Sequence, residues 1–137
     1  MMNRYLDDQI MGEQNEISLF DMLKSKYPDI KRTKKNDVFD FETPTIKFEL
    51  KSRRCSSDKF KTTMIGYNKI LKANEDNFDY IFIFKYTDKI LYIEYDEELF
   101  KTFRKDKGWR TDRGVYETSY YMFIPYEHLK EISNLLI

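Results

Sequence analysis

The stretch Asp37-Val-Phe-Asp-Phe-Glu-Thr-Pro-Thr-Ile-Lys-Phe-Glu-Leu-Lys-Ser-Arg53 decides the reading of this chain. Its second half alternates. Ile46, Phe48 and Leu50 fall on one parity, and Lys47, Glu49, Lys51 and Arg53 on the other. Successive side chains of a strand leave opposite faces, so this pattern predicts a strand over 45–53 with one apolar and one ionisable face. The first half reads as a partner strand, with Val38 and Asp40 on one face and Phe39 and Phe41 on the other. Thr43-Pro44 between them predicts a tight turn and therefore a hairpin.

Upstream, Ile10, Glu13, Ile17, Phe20 and Leu23 recur at three and four, which predicts a helix over 6–27 that Pro28 ends. The basic stretch 29–36 reads as a connection. Downstream, Ser57 to Asn74 reads as a second helix, N-capped by Ser57 and buried through Phe60, Met64, Tyr67, Ile70 and Leu71. Tyr80-Ile-Phe-Ile-Phe-Lys-Tyr86 is apolar on both parities, the mark of a central strand covered on both faces. Thr87-Asp88-Lys89 turns the chain into a strand over 90–95. A polar helix over 96–105, a loop over 108–119 holding Trp109, a strand over 120–124 and a closing helix over 126–136 complete the expectation. The fold class is therefore α/β: a central mixed sheet of about five strands flanked by helices, in a single domain over 1–137.

Composition narrows the function classes. The chain has 137 residues with 17% aromatics, 4 Gly, 3 Pro and 1 Cys. That aromatic content excludes a disordered chain, and the few Gly and Pro exclude low-complexity architectures. A lone Cys55 excludes an internal disulfide and a multi-Cys zinc site, and fits a reducing compartment. No apolar run reaches membrane-spanning length and the N-terminus lacks a signal-peptide core, so the expectation is no membrane and an intracellular location. That means cytoplasm, or a nucleus or virus factory if the chain is viral. His128 reads as a packing residue, and Cys55 lacks a nearby histidine that would make it a nucleophile.

The chemistry sits in the hairpin. Asp is disfavoured inside strands, yet Asp40 lies between two phenylalanines. Asp40 and Glu49 on adjacent strands form a pair of hard oxygen donors. Such a pair suits Mg²⁺, with Mn²⁺ as a substitute, because Mg²⁺ takes one or two carboxylates plus waters and phosphate oxygens. Lys51 points to the same side as Glu49, where it can assist an attacking water or stabilise charge on a phosphate. Arg53 and Arg54 at the strand end are candidate phosphate clamps. Lys59, Lys61 and Lys69 follow on the predicted helix. Asp37 is three residues from Asp40 and on the opposite parity, so only one of them can serve with Glu49; the mid-strand Asp40 is chosen.

Asp40 with Glu49-Leu50-Lys51 resembles the core motif of the PD-(D/E)XK nuclease superfamily. Phe48-Glu-Leu-Lys-Ser-Arg53 is similar to the version seen in its Holliday-junction-resolvase-like branch. Gly12-Glu13-Gln14-Asn15-Glu16 resembles the start of that branch's first helix, which aims a Glu at the metal site; Glu16 has the better spacing to the apolar stripe, with Glu13 the alternative. The resemblance covers about residues 12–84. Phe39 replaces the proline before the first Asp, and only eight residues separate Asp40 from Glu49. It implies a restriction-endonuclease-like core and a Mg²⁺-dependent nuclease hydrolysing DNA phosphodiesters. Asp40, Glu49 and Glu16 would hold metal, and Lys51 would assist catalysis. It further implies branched or duplex DNA as partner, with RNA left open, and a homodimer.

Two other classes stay in view: a nuclease-fold module that binds nucleic acid or protein without cutting, and an unrelated α/β interaction protein. On its sum, a chain with 24 basic and 24 acidic residues is ill suited to a polyanion. The balance hides a segregation, however. Residues 31–72 hold 12 basic against 5 acidic residues, and the remainder 12 against 19.

Overall fold

A computed structural model describes residues 16–33, 39–110 and 117–137. Its main sheet has six strands in the order β1-β2-β3-β5-β6-β9: β1 Lys31–Arg32, β2 Phe41–Glu42, β3 Ile46–Ser52, β5 Asp79–Lys85, β6 Ile90–Glu94 and β9 Lys130–Glu131. A second sheet has three, in the order β4-β8-β7: β4 Thr62–Gly66, β8 Glu117–Pro125 and β7 Arg104–Arg110. The helices are α1, helical over 16–24, α2 Tyr67–Glu75, α3 Glu97–Phe100 and α4 Ile132–Leu135. The α/β class and the central mixed sheet hold, and the sheet count is corrected from about five strands to six plus three.

The hairpin forms as its sequence dictates. Phe41 pairs with Phe48 and Glu42 with Lys47. Thr43 Oγ1 accepts from the amides of Thr45 and Ile46, at 3.2 and 3.0 Å, which fixes the turn. β3 then runs parallel to β5, with Glu49 beside Phe82 and Lys51 beside Phe84. A parallel pair needs a crossover, and α2 lies in it. β5 is the central strand expected: Tyr80 through Phe84 are all buried. Each such side chain contributes about 1.5–3 kcal/mol by leaving water.

Two apolar clusters lie on opposite faces of the main sheet. Leu19 and Leu23 of α1 pack with Phe41, Phe48, Ile81, Ile83 and Leu135. On the other face, Phe82, Phe84 and Phe39 join Ile70 and Ala73 of α2 and Ile65, Met122 and Ile124 of the second sheet.

Several expectations are corrected. The reading of 57–74 as one helix fails: 62–66 is a strand, and only 67–75 is helical. Ser57 is not a helix cap; its amide and hydroxyl donate to Asp88 at 2.8 and 2.7 Å. Phe60, Met64 and Leu71 are exposed rather than buried. Phe39 and Phe41 do not share a face, since they belong to the two opposite clusters. A bend at 39–40 rotates the chain between them, so Asp40 stands at the entry to β2 rather than mid-strand. The stretch read as a connection contains β1, the polar helix over 96–105 shrinks to four residues, and of the loop over 108–119 the described residues, 108–110 and 117–119, belong to β7 and β8. The closing helix over 126–136 is instead a 3₁₀ turn Tyr126–His128, then β9, then α4. β9 exists because it pairs with β6 at Leu91 and Tyr92, a partner distant in sequence. Gly12, Glu13, Asp37 and Val38 lie outside the described residues, as do residues 6–15 of the first predicted helix.

Candidate functional site

The alternation of β3 sends Lys47, Glu49 and Lys51 to the face opposite Phe48, toward α2. Glu49 is 3% exposed there, a carboxylate set over the aromatic floor of the larger cluster. Its Oε1 lies 3.1 Å from Lys51 Nζ. Its Oε2 lies 3.3 Å from Lys69 Nζ, an ion pair outside hydrogen-bond geometry, and among the described residues this buried oxygen accepts no hydrogen bond. Burial pushes the Glu49 carboxyl above the ordinary carboxylate range; Lys51 opposes the shift, Asp40 adds to it and Lys69 opposes it.

Asp40 is held from three sides. Its amide donates to the Phe48 carbonyl at 2.9 Å, and its own carbonyl accepts from Thr33 at 3.0 Å. Its Oδ2 accepts from the Leu50 amide at 2.7 Å. That last bond fixes the carboxylate against β3, next to Glu49. Lys69 comes from the first turn of α2, and its ammonium also lies 5.4 Å from the centre of the Phe39 ring.

The structure therefore brings together Asp40, Glu49, Lys51 and Lys69. Glu16 stands apart from them. It extends from α1, which packs on the opposite face of the sheet, and lies 3.4 Å from Arg32 Nη2 on β1. The principal electrostatic neighbours of Glu49 are Lys51, Asp40 and Lys69, and Glu16 is not one of them. Among the described residues no three His, Cys, Asp or Glu side chains converge as a metal-binding group.

Arg53 continues the row just beyond β3. Its amide donates to the Lys85 carbonyl at 2.8 Å, and its Nη2 to the Met64 carbonyl at 2.7 Å. The guanidinium carbon lies 5.8 Å from the centre of the Phe84 ring. Arg54, Lys59 and Lys61 are exposed around the turn that leads to β4.

No family model, curated protein or solved structure matches the chain.

Reading the sequence alone placed Lys69 among phosphate-contacting residues and missed its pairing with Glu49. That pairing depends on α2 starting at Tyr67, which the mistaken helix over 57–74 concealed. The Ser57–Asp88 link was also missed; an Asp in a three-residue turn was its sole signal. His128 packs on Phe103 with ring centres 5.2 Å apart, and Cys55 is half-buried beside the larger cluster.

Proposed function

We propose that this chain is a metal-dependent nuclease that hydrolyses DNA phosphodiester bonds, with Asp40, Glu49 and Lys51 as its reacting set. The observation that carries the reading is the convergence of a fixed Asp40, at the entry to β2, with the buried Glu49 and its partner Lys51 on β3. The order around them also supports it: helix, two-stranded hairpin, crossover helix, parallel strand. This is the order that a restriction-endonuclease-like core implies.

The donor set fits Mg²⁺ or Mn²⁺. Two carboxylates supply hard oxygens, among them a buried Glu49 Oε2 with no hydrogen-bond donor among the described residues, and Mg²⁺ is commonly held by one or two carboxylates plus waters and phosphate oxygens. Asp40 and Glu49 would hold the ion; bound there, it would stabilise charge on the phosphate and supply an activated water. Lys51, 37% exposed at its side chain and adjacent to Glu49, reaches solvent where a phosphate can approach. Its ammonium contributes charge stabilisation at the reacting phosphate. Lys69 is more enclosed and balances Glu49 from behind.

Cleavage of plasmid, linear and branched DNA with Mg²⁺ or Mn²⁺ tests the reading. Wild type cuts at least one substrate, and Asp40→Ala and Lys51→Ala do not. Equal activity of wild type and both variants on every substrate overturns it. One observation favours a module that binds nucleic acid without cutting: both Glu49 oxygens already face lysines. Calorimetry separates the two, since that module binds no Mg²⁺ that Glu49→Gln abolishes.

A further inference from the structure

Beyond Lys51 the charged row of β3 opens into a cleft of about 350 Å³ whose lining includes Arg53, Phe60, Thr62, Met64, Tyr86 and Phe123. Three features set it apart from an ordinary surface groove. Phe60 is 62% exposed on a turn, and Met64 is 42% exposed, so large apolar side chains face water at its rim. Phe60 also lines a neighbouring cleft with Lys61 and Tyr126, and therefore stands as a ridge between the two. Arg53 is half-buried at the wall, yet among the described residues its guanidinium has the Met64 carbonyl and no carboxylate as partner. A guanidinium without a carboxylate, facing an aromatic-walled space, is a receptor for an anion joined to a flat apolar group.

We propose that this cleft holds an unpaired nucleotide, its base stacked on Phe60 and its phosphate on Arg53, making single-stranded segments the preferred substrate. The proposal rests on the nuclease reading for the position of the neighbouring phosphate at Lys51. Lys51 and Arg53 share a face two residues apart, about 6.6 Å along the strand, comparable to one extended nucleotide step. Charge agrees: Arg53 lines the cleft, Lys61 lines its neighbour across Phe60, Arg54 and Lys59 are exposed on the same segment, and the one carboxylate of 53–61, Asp58, accepts from the Ser56 hydroxyl. A duplex base cannot enter without leaving its stack, whereas an unpaired base presents its face to any aromatic ring.

The test is equilibrium binding of fluorescein-labelled single-stranded and duplex DNA oligonucleotides of equal length, in EDTA so that no turnover occurs. The full chain is used with Phe60→Ala, Phe60→Trp and Arg53→Gln. The single strand binds wild type more tightly than the duplex. Phe60→Ala weakens single-strand binding about tenfold, as expected for one lost stacking contact, and leaves duplex binding unchanged. Phe60→Trp restores the single strand, and Arg53→Gln weakens it. Phe60 is exposed, so its replacement leaves the fold intact, and circular dichroism checks this. If neither oligonucleotide binds, or Phe60→Ala changes both alike or neither, the proposal is wrong. Because binding is read without hydrolysis, its failure is separate from failure of the nuclease reading. Selective binding without cleavage in Mg²⁺ overturns the enzyme and keeps the cleft, and cleavage that Phe60→Ala does not affect does the reverse.

Discussion

Removing the ammonium of Lys69 is the sharpest physical test of the site, because it acts on Glu49 without touching the hairpin. Lys69→Met keeps the apolar stem over Phe39 and deletes the charge 3.3 Å from Glu49 Oε2. Breaking a fully buried pair costs about 3–5 kcal/mol, and an exposed pair is worth about 0–1. This pair joins side chains 4% and 15% exposed, but Lys51 remains at 3.1 Å to share the load. The expected loss at neutral pH is therefore about 2–3 kcal/mol. Unfolding entropy of about 2.1 cal/mol/K per residue over this chain gives about 3.5 °C per kcal/mol, so Tm falls by about 7–10 °C. The loss also depends on pH. Glu49 already titrates above the ordinary carboxylate range in the folded state, and without Lys69 it titrates higher still. A raised carboxylate penalises folding as pH climbs from its unfolded value through its folded one, and the penalty stays above that. The variant is accordingly closest to wild type in acid, where Glu49 is protonated in both, and falls behind as pH rises. Urea melts followed by circular dichroism from pH 4 to 8 read this directly. A variant as stable as wild type at pH 8, or a deficit that does not change with pH, refutes the assignment of Lys69 as a counter-charge to Glu49.

Other perturbations probe the surrounding frame. Asp40→Asn keeps an acceptor for the Leu50 amide and so changes stability by less than about 1 kcal/mol, while DNA cleavage falls by about 100-fold or more; unchanged cleavage in a gel assay removes Asp40 from the reacting set. Thr43→Val deletes the acceptor of two turn amides and costs about 1–2 kcal/mol in a urea melt. Gly108→Val forces a Cβ to within 2.6 Å of the Tyr121 ring and costs about 1–3 kcal/mol, since the ring must move and β7 with it. Hydrogen bonds from Ser57 hold the Asp88 carboxyl below its usual range. That stabilisation is present above the ordinary carboxylate value and is lost as pH falls through the depressed one, so the deficit of Asp88→Ala in thermal melts is full at pH 7 and shrinks in strong acid.

What the sequence disclosed follows from how local its signals were. The hairpin and β3 were legible because alternation and a Thr-Pro turn lie within seventeen consecutive residues, and β5 because it is apolar on both parities. The segment 57–74 misled because Phe60, Met64, Tyr67, Ile70 and Leu71 keep helical spacing by coincidence of two elements. In the structure Thr63 and Ile65 point inward and Thr62 and Met64 outward, a strand period that holds because β4 pairs with β8, Ile65 lying opposite Met122. Nothing near Ile65 in sequence announces a partner more than fifty residues away. β9 and the long β7–β8 pair are long-range in the same sense. The row Glu49-Lys51-Arg53 was visible from parity alone; the bend that turns Phe39 away from Phe41 was not, since it depends on Phe39 packing against Tyr80 at 4.8 Å between ring centres.

The cost of burying Glu49 favours a functional role over a scaffolding one. Its neighbour across the parallel ladder is Phe82, fully buried, and its face looks onto Phe39, Ile70 and the rest of an apolar cluster. A leucine or methionine there would bury surface at no desolvation cost, and exchanging a buried ion pair for apolar residues is often neutral or stabilising by about 1–4 kcal/mol. The chain instead carries a carboxylate beside two lysines, one oxygen of which accepts no hydrogen bond among the described residues. Asp40 is anchored by its hydrogen bond to Leu50 on the side that raises the Glu49 carboxyl further, adding like charge where a structural ion pair would avoid it. A site built for stability would place its charges at the rim and pair them completely, as Lys101 does with Glu97 and Glu98 on exposed α3. Two neighbouring carboxylates beside a solvent-reaching lysine fit the proposed role of holding a cation and a phosphate.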